Sequence, residues 1–130
     1  MINIILIASG GAIGAVLRYF SFEIITKLLR NSSLANFPVA TLFINVTGSF
    51  LAGVVYYFII KNFDNFDPRL KNVVMVGILG GFTTFSAFSL DSFRFLQTSQ
   101  YSIALIYMLS SVLLSILAVF FGFYSMKLVF

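Results

Sequence analysis

The sequence predicts an all-α integral membrane protein with four transmembrane helices, and three observations carry that prediction. The first is composition. Of 130 residues, 60% are hydrophobic and 9% charged, whereas a soluble domain carries about 25% charged residues; the mean hydropathy is +1.05. The second is punctuation: four apolar segments, each long enough to cross a hydrocarbon core of about 30 Å, are separated by short polar connections. The third is one run in the third segment, Gly80-Gly81-Phe82-Thr83-Thr84-Phe85-Ser86-Ala87-Phe88-Ser89. It sets a glycine pair, hydroxyls and phenylalanines where a purely lipid-filling span would be Leu, Ile and Val. Glycine pairs loosen helices, and non-helical backbone is tolerated at membrane depth only when buried in protein or lining a wet cavity. The run predicts a third helix broken near Gly80-Thr83, with a polar lining.

The composition leaves no room for a separate soluble domain, so residues 1–130 read as one transmembrane domain. There is no cysteine and no histidine, which excludes disulfides, thiol or histidine catalysis and a histidine proton relay. No nucleophile and base pair up within any span, so the chain is not read as an enzyme. The net charge of +4 is scattered over several loops and makes no basic face for nucleic acid. The start, Met1-Ile2-Asn3-Ile4-Ile5-Leu6, lacks a basic leader region and a small-residue cleavage site, and reads as the first span.

Span one covers about 3–25. Gly10 and Gly14 form a G-x-x-x-G pair suited to close helix packing. Arg18 lies well inside, where charge is costly unless it snorkels or faces water or a partner; a polar vestibule is the expected surrounding. A polar connection with Lys27 and Arg30 follows. Pro38 then opens span two, about 38–60, where its missing N–H costs least. At 100° per residue Thr41, Asn45, Gly48, Ser49 and Ala52 share one face, and the buried Asn45 amide needs hydrogen-bond partners. The connection Lys61–Asn72 holds the densest charge in the chain. Span three, about 73–96, sets Phe82, Phe85 and Phe88 in one stripe and Thr83, Ser86 and Ser89 in another beside it. Asp91, Arg94 and Gln97 close it at the interface. Span four, about 101–129, carries Tyr107, Ser110, Ser111 and Ser115.

Four spans place both termini on one side. The basic residues divide almost evenly: Lys61, Arg69, Lys71 and Lys127 on the terminal side, Lys27, Arg30 and Arg94 on the other. Lys/Arg asymmetry sets orientation, so insertion both ways, and an antiparallel dual-topology homodimer, is expected.

At this point the chain resembles the Fluc (CrcB-like) fluoride channels. The resemblance rests on Gly14-Ala15-Val16-Leu17-Arg18-Tyr19, on Thr41-Leu42-Phe43-Ile44-Asn45-Val46-Thr47-Gly48-Ser49-Phe50 and on the run from Gly80 to Ser89. It implies passive, fluoride-selective export across the plasma membrane through two antiparallel pores per dimer, with a structural sodium ion between subunits. It implies Asn45 as the pore-lining amide, Phe85 and Phe88 as pore rings, Thr84, Ser86 and Ser115 as hydroxyls of the path, and Arg18 at the vestibule. The backbone carbonyls of Gly80 and Thr83 are the implied sodium ligands. The chain departs from the family at Ala87 and Val119, where relatives often have threonine, and at Asp91, often Glu. The competing readings are a proton-coupled exporter of small cationic compounds, which needs a mid-span carboxylate that this chain lacks, and a membrane adaptor that transports nothing.

Overall fold

The computed structural model describes residues 1–61 and 67–130. Four helices there are long and apolar enough to cross a membrane: α1 (Ile2–Leu29), α2 (Val39–Lys61), α3 (Pro68–Gln97) and α4 (Tyr101–Val129). Part of the connection Lys61–Asn72 lies outside the described residues. Helix α1 runs about one turn beyond the expected end, and Lys27 in that turn faces Glu23 at 3.4 Å, an i,i+4 pair that also suits the negative end of the helix dipole. Helix α3 begins at Pro68, earlier than the expected 73. Asp67 caps it, its carboxylate accepting the Arg69 N–H at 2.8 Å, with Pro68 in the first-turn position that lacks an N–H to satisfy.

Within α3 the winding changes four times. Asn72–Leu79 is π-helical, and the Gly80 N–H reaches back to the Met75 and Gly77 carbonyls. Gly80–Phe82 is α-helical. The chain then extends at Thr83 (φ −78°, ψ 160°) and Thr84 (φ −150°, ψ 112°) before Phe85–Gln97 resumes the helix. The expected break is present, but the threonine pair makes it, not the glycines. The Thr83 hydroxyl donates at 2.9 Å to the Leu79 carbonyl, which also accepts the Thr83 N–H at 2.9 Å, and so ties Thr83 to the last closed turn of the first half. The Thr84 hydroxyl accepts the Ala87 N–H at 3.2 Å and caps the second.

The glycines serve packing. Helix α1 lies on the first half of α3, and α2 lies on α4. A Cβ on Gly14 would run into the Ile78 carbonyl, and one on Gly10 would come within 2.9 Å of the Val73 carbonyl. Gly53 and Gly122 play the same part between α2 and α4. Small residues let membrane helices meet backbone to backbone. The buried centre is thin: Thr41, Ile44, Ala104 and Tyr107 are nearly or fully enclosed, while most large apolar side chains point outward.

Candidate functional site: a polar groove across the break in α3

Breaking a helix inside a membrane strands backbone N–H and C=O groups that must find partners. Three side chains answer the break. The Asn45 amide, about a third of the way along α2, accepts the Thr84 N–H at 2.8 Å and donates to the Thr84 carbonyl at 3.0 Å. Arg18 of α1 is half-buried and donates to the Thr83 carbonyl at 3.2 Å. The Thr84 hydroxyl caps the resumed helix and also meets the Ser86 hydroxyl at 3.3 Å.

Beside the break lies a groove of about 330 Å³, lined by Asn45 and Ser49 of α2, Thr83, Thr84, Phe85 and Phe88 of α3, and Ser111 and Ser115 of α4. The groove thus gathers Asn45, Thr84, Phe85, Phe88 and Ser115. Ser86 is exposed outside it, and Val119, beyond it, packs against Gly53. Arg18 stands at the break itself. The Phe85 and Phe88 ring centres lie 5.4 Å apart with the planes tilted by 43°, and Phe88 lies 5.5 Å from the Tyr107 ring. The Phe85 side of the groove is open, the residue being 77% exposed.

Four residues not singled out as site residues extend this polar line. The Tyr107 hydroxyl and Ser111 Oγ are buried and have no hydrogen-bond partner within the described residues. Tyr107 stands beside Thr41, Ser111 and Asp91. Thr41, itself buried, donates to Asp91 Oδ2 at 2.9 Å, and Asp91 Oδ1 lies 3.6 Å from the Arg94 guanidinium. Thr41 and Asp91 in turn line a second, broader groove of about 650 Å³ at the Lys27, Arg30 and Arg94 end of the chain. The available signal was spacing: Tyr107, Ser111 and Ser115 recur every four residues on one face of α4.

Apart from the Asp91 carboxylate at its end, this is a line of uncharged hydroxyl and amide groups. Buried hydroxyls are almost always partnered in native proteins, so two unpartnered ones side by side ask what they serve. Hydroxyl and amide hydrogens can replace the water around a small anion, and aromatic edges carry positive quadrupole toward it.

The sequence profile described as "CrcB-like protein, Camphor Resistance (CrcB)" matches residues 5–123. A "Fluoride-specific ion channel FluC" of Rhizobium meliloti (strain 1021) is 44% identical over 127 residues, covering 98% of each chain. A protein of the same description from Hahella chejuensis is 39% identical over 117 residues, covering 90% of this chain and 88% of the relative. Another, from Campylobacter fetus subsp. fetus, is 38% identical over 128 residues, covering 98% and 96%.

Proposed function

The chain belongs to the CrcB-like family, and from that premise we propose that it is a fluoride-selective channel, a multi-pass plasma membrane protein that lets fluoride leave the cell down its gradient and so limits its toxicity. The observation that carries this reading is the row of unspent donors: the Tyr107 hydroxyl and Ser111 Oγ, with the Asn45 amide and the Phe85 and Phe88 rings lining the adjoining groove.

Fluoride is small, strongly hydrated and only accepts hydrogen bonds. To enter a narrow path it must exchange water for protein donors, and to leave it must not be held too tightly. The Asn45 amide commits one N–H to Thr84 and keeps a second. Tyr107, Ser111 and Ser115 offer hydroxyls in sequence along α4. Phe85 and Phe88 exclude water while presenting ring edges. Among the described residues no full positive charge lines the smaller groove, which suits release. A proton-coupled exporter is disfavoured by the placement of the acids: Glu23 pairs with Lys27 and Asp91 with Arg94, both toward helix ends.

Two chains in opposite orientation complete the pores in this reading. Phe85 is far too exposed for a finished wall, and a partner laid across the break would close it. A sodium ion would sit at the same place. The Thr84 N–H, which in an unbroken helix would bond the Gly80 carbonyl, goes to Asn45 instead. Gly80 is exposed, with nothing nearer to the place of a Cβ than the Met75 carbonyl at 3.7 Å. The Thr83 carbonyl has a lone pair beyond the one Arg18 occupies. Neutral carbonyls freed at a helix break fit a monovalent cation, so Gly80 and Thr83 from both subunits would hold it, and its charge would pin the two breaks together.

The test is reconstitution of the purified chain in liposomes with fluoride- and chloride-selective electrodes. Rapid fluoride efflux with little chloride efflux is expected. No fluoride movement from vesicles that contain folded protein would overturn the reading.

A further inference from the structure

We propose that the broader groove is the anion-capturing mouth of the path and that Arg94 sets its sign; the inference rests on the channel reading above. The groove holds about 650 Å³, and its lining runs from Lys27 and Arg30 to Thr41 and Asp91. Thr41 and Asp91 stand beside Tyr107, and Ser111, next along, lines the smaller groove. The unpartnered hydroxyls therefore lie between the two spaces.

Asp91 is the difficulty in such a mouth, because an ionised carboxylate there repels the anion. The structure answers it with Thr41 on one carboxylate oxygen at 2.9 Å and Arg94 at 3.6 Å from the other. Lys27 is largely spent on Glu23 at 3.4 Å. Arg30 has no ion pair within the described residues and is left as the net positive charge. With Arg94 present the mouth attracts fluoride; without it Asp91 and Arg30 cancel.

One unit charge about 8 Å from the ion changes local fluoride about two-fold in bulk water and about fifteen-fold at an effective dielectric of 20, both at 0.01 M ionic strength. At 0.15 M the same charge is worth about 1.4-fold and about four-fold. The effect must fade with salt, which a packing defect does not do.

The experiment compares wild type, Arg94→Gln and Arg94→Lys in neutral phosphatidylcholine vesicles. Fluoride is low and an impermeant background salt is present on both sides at about 0.01 M or about 0.3 M, which spans Debye lengths from about 30 Å to under 8 Å. Arg94→Gln is expected to conduct at least two-fold more slowly at low salt and to converge on wild type at high salt, while Arg94→Lys follows wild type throughout. Equal fluxes of wild type and Arg94→Gln at low salt, or the same loss at both salts, overturn the inference. A wild type that moves no fluoride overturns the channel reading instead, and this inference with it.

Discussion

Replacing Asn45 by aspartate exchanges one NH₂ for one oxygen and is expected to stop conduction while leaving the fold. The side chain still accepts the Thr84 N–H, now bonded at 2.8 Å. It can no longer donate to the Thr84 carbonyl, now at 3.0 Å, and instead sets an oxygen against it. A carbonyl left unpaired in a buried setting costs about 1–3 kcal/mol. The larger consequence is electrostatic. A carboxylate about 4 Å from a fluoride in the groove repels it by about 4 kcal/mol at an effective dielectric of 20, which lowers occupancy about a thousand-fold. The assay is fluoride efflux from liposomes, paired with thermal melting and size exclusion of the same preparation in detergent. Flux is expected to fall by at least about 100-fold, with a monodisperse protein of modestly lowered melting temperature. If Asn45→Asp conducts within about ten-fold of wild type, Asn45 is a clamp on the break and nothing more, and the ion does not pass it.

Tyr107→Phe should lower fluoride flux by about 10- to 100-fold, the worth of one hydrogen bond to a charged group. The same change should leave the melting temperature unchanged or raise it, because it deletes a buried hydroxyl that has no partner. Gly14→Ala should destabilise the folded chain by about 1–3 kcal/mol, since its Cβ meets the Ile78 and Phe82 backbone. Gly11→Ala, with no atom within 4 Å of the added Cβ, should be neutral unless a second chain packs there, so melting the two variants side by side also reads the dimer face. Replacing sodium by a bulky organic cation throughout purification should shift the protein toward monomer on size exclusion if the Gly80 and Thr83 carbonyls hold the ion; an unchanged dimer would count against that site.

Hydropathy alone located all four spans to within a turn or so, because lipid-facing segments announce themselves by length and composition. What it could not settle was which residues break α3. A glycine pair loosens a helix only if nothing holds it, and here Gly81 is pressed against the Gly11 backbone, where a Cβ would lie 2.5 Å from the Gly11 carbonyl. The break moves three residues on, to Thr83 and Thr84, whose hydroxyls bond back to the last turn of the first half and cap the start of the second. The early start of α3 was written in Asp67-Pro68, a local capping signal that the polar character of the connection masked. Asn45, Phe85 and Phe88 were legible as a polar position and a stripe. Thr41 and Asp91 were not legible as a pair, because they are fifty residues apart and only the packing of α2 beside α3 brings them to 2.9 Å.

The polar groups of this chain divide by whether they are satisfied, and on the proposed function that division separates scaffold from path. Arg18 and Thr84 spend their donors or acceptors on the broken backbone, so changing them should lower stability and flux together. The Tyr107 hydroxyl and Ser111 Oγ make no hydrogen bond within the described residues; on the proposed reading, removing them should lower flux far more than stability. On the proposed reading Asn45 belongs to both groups, with one amide N–H and its oxygen committed to Thr84 and the second N–H of a groove-lining side chain left to offer. That double membership explains why an amide, and not a hydroxyl, stands at this position. A serine has one hydrogen to give, and the break would claim it. Only a side chain with two donors and an acceptor can close the broken helix and still offer a hydrogen to a passing anion.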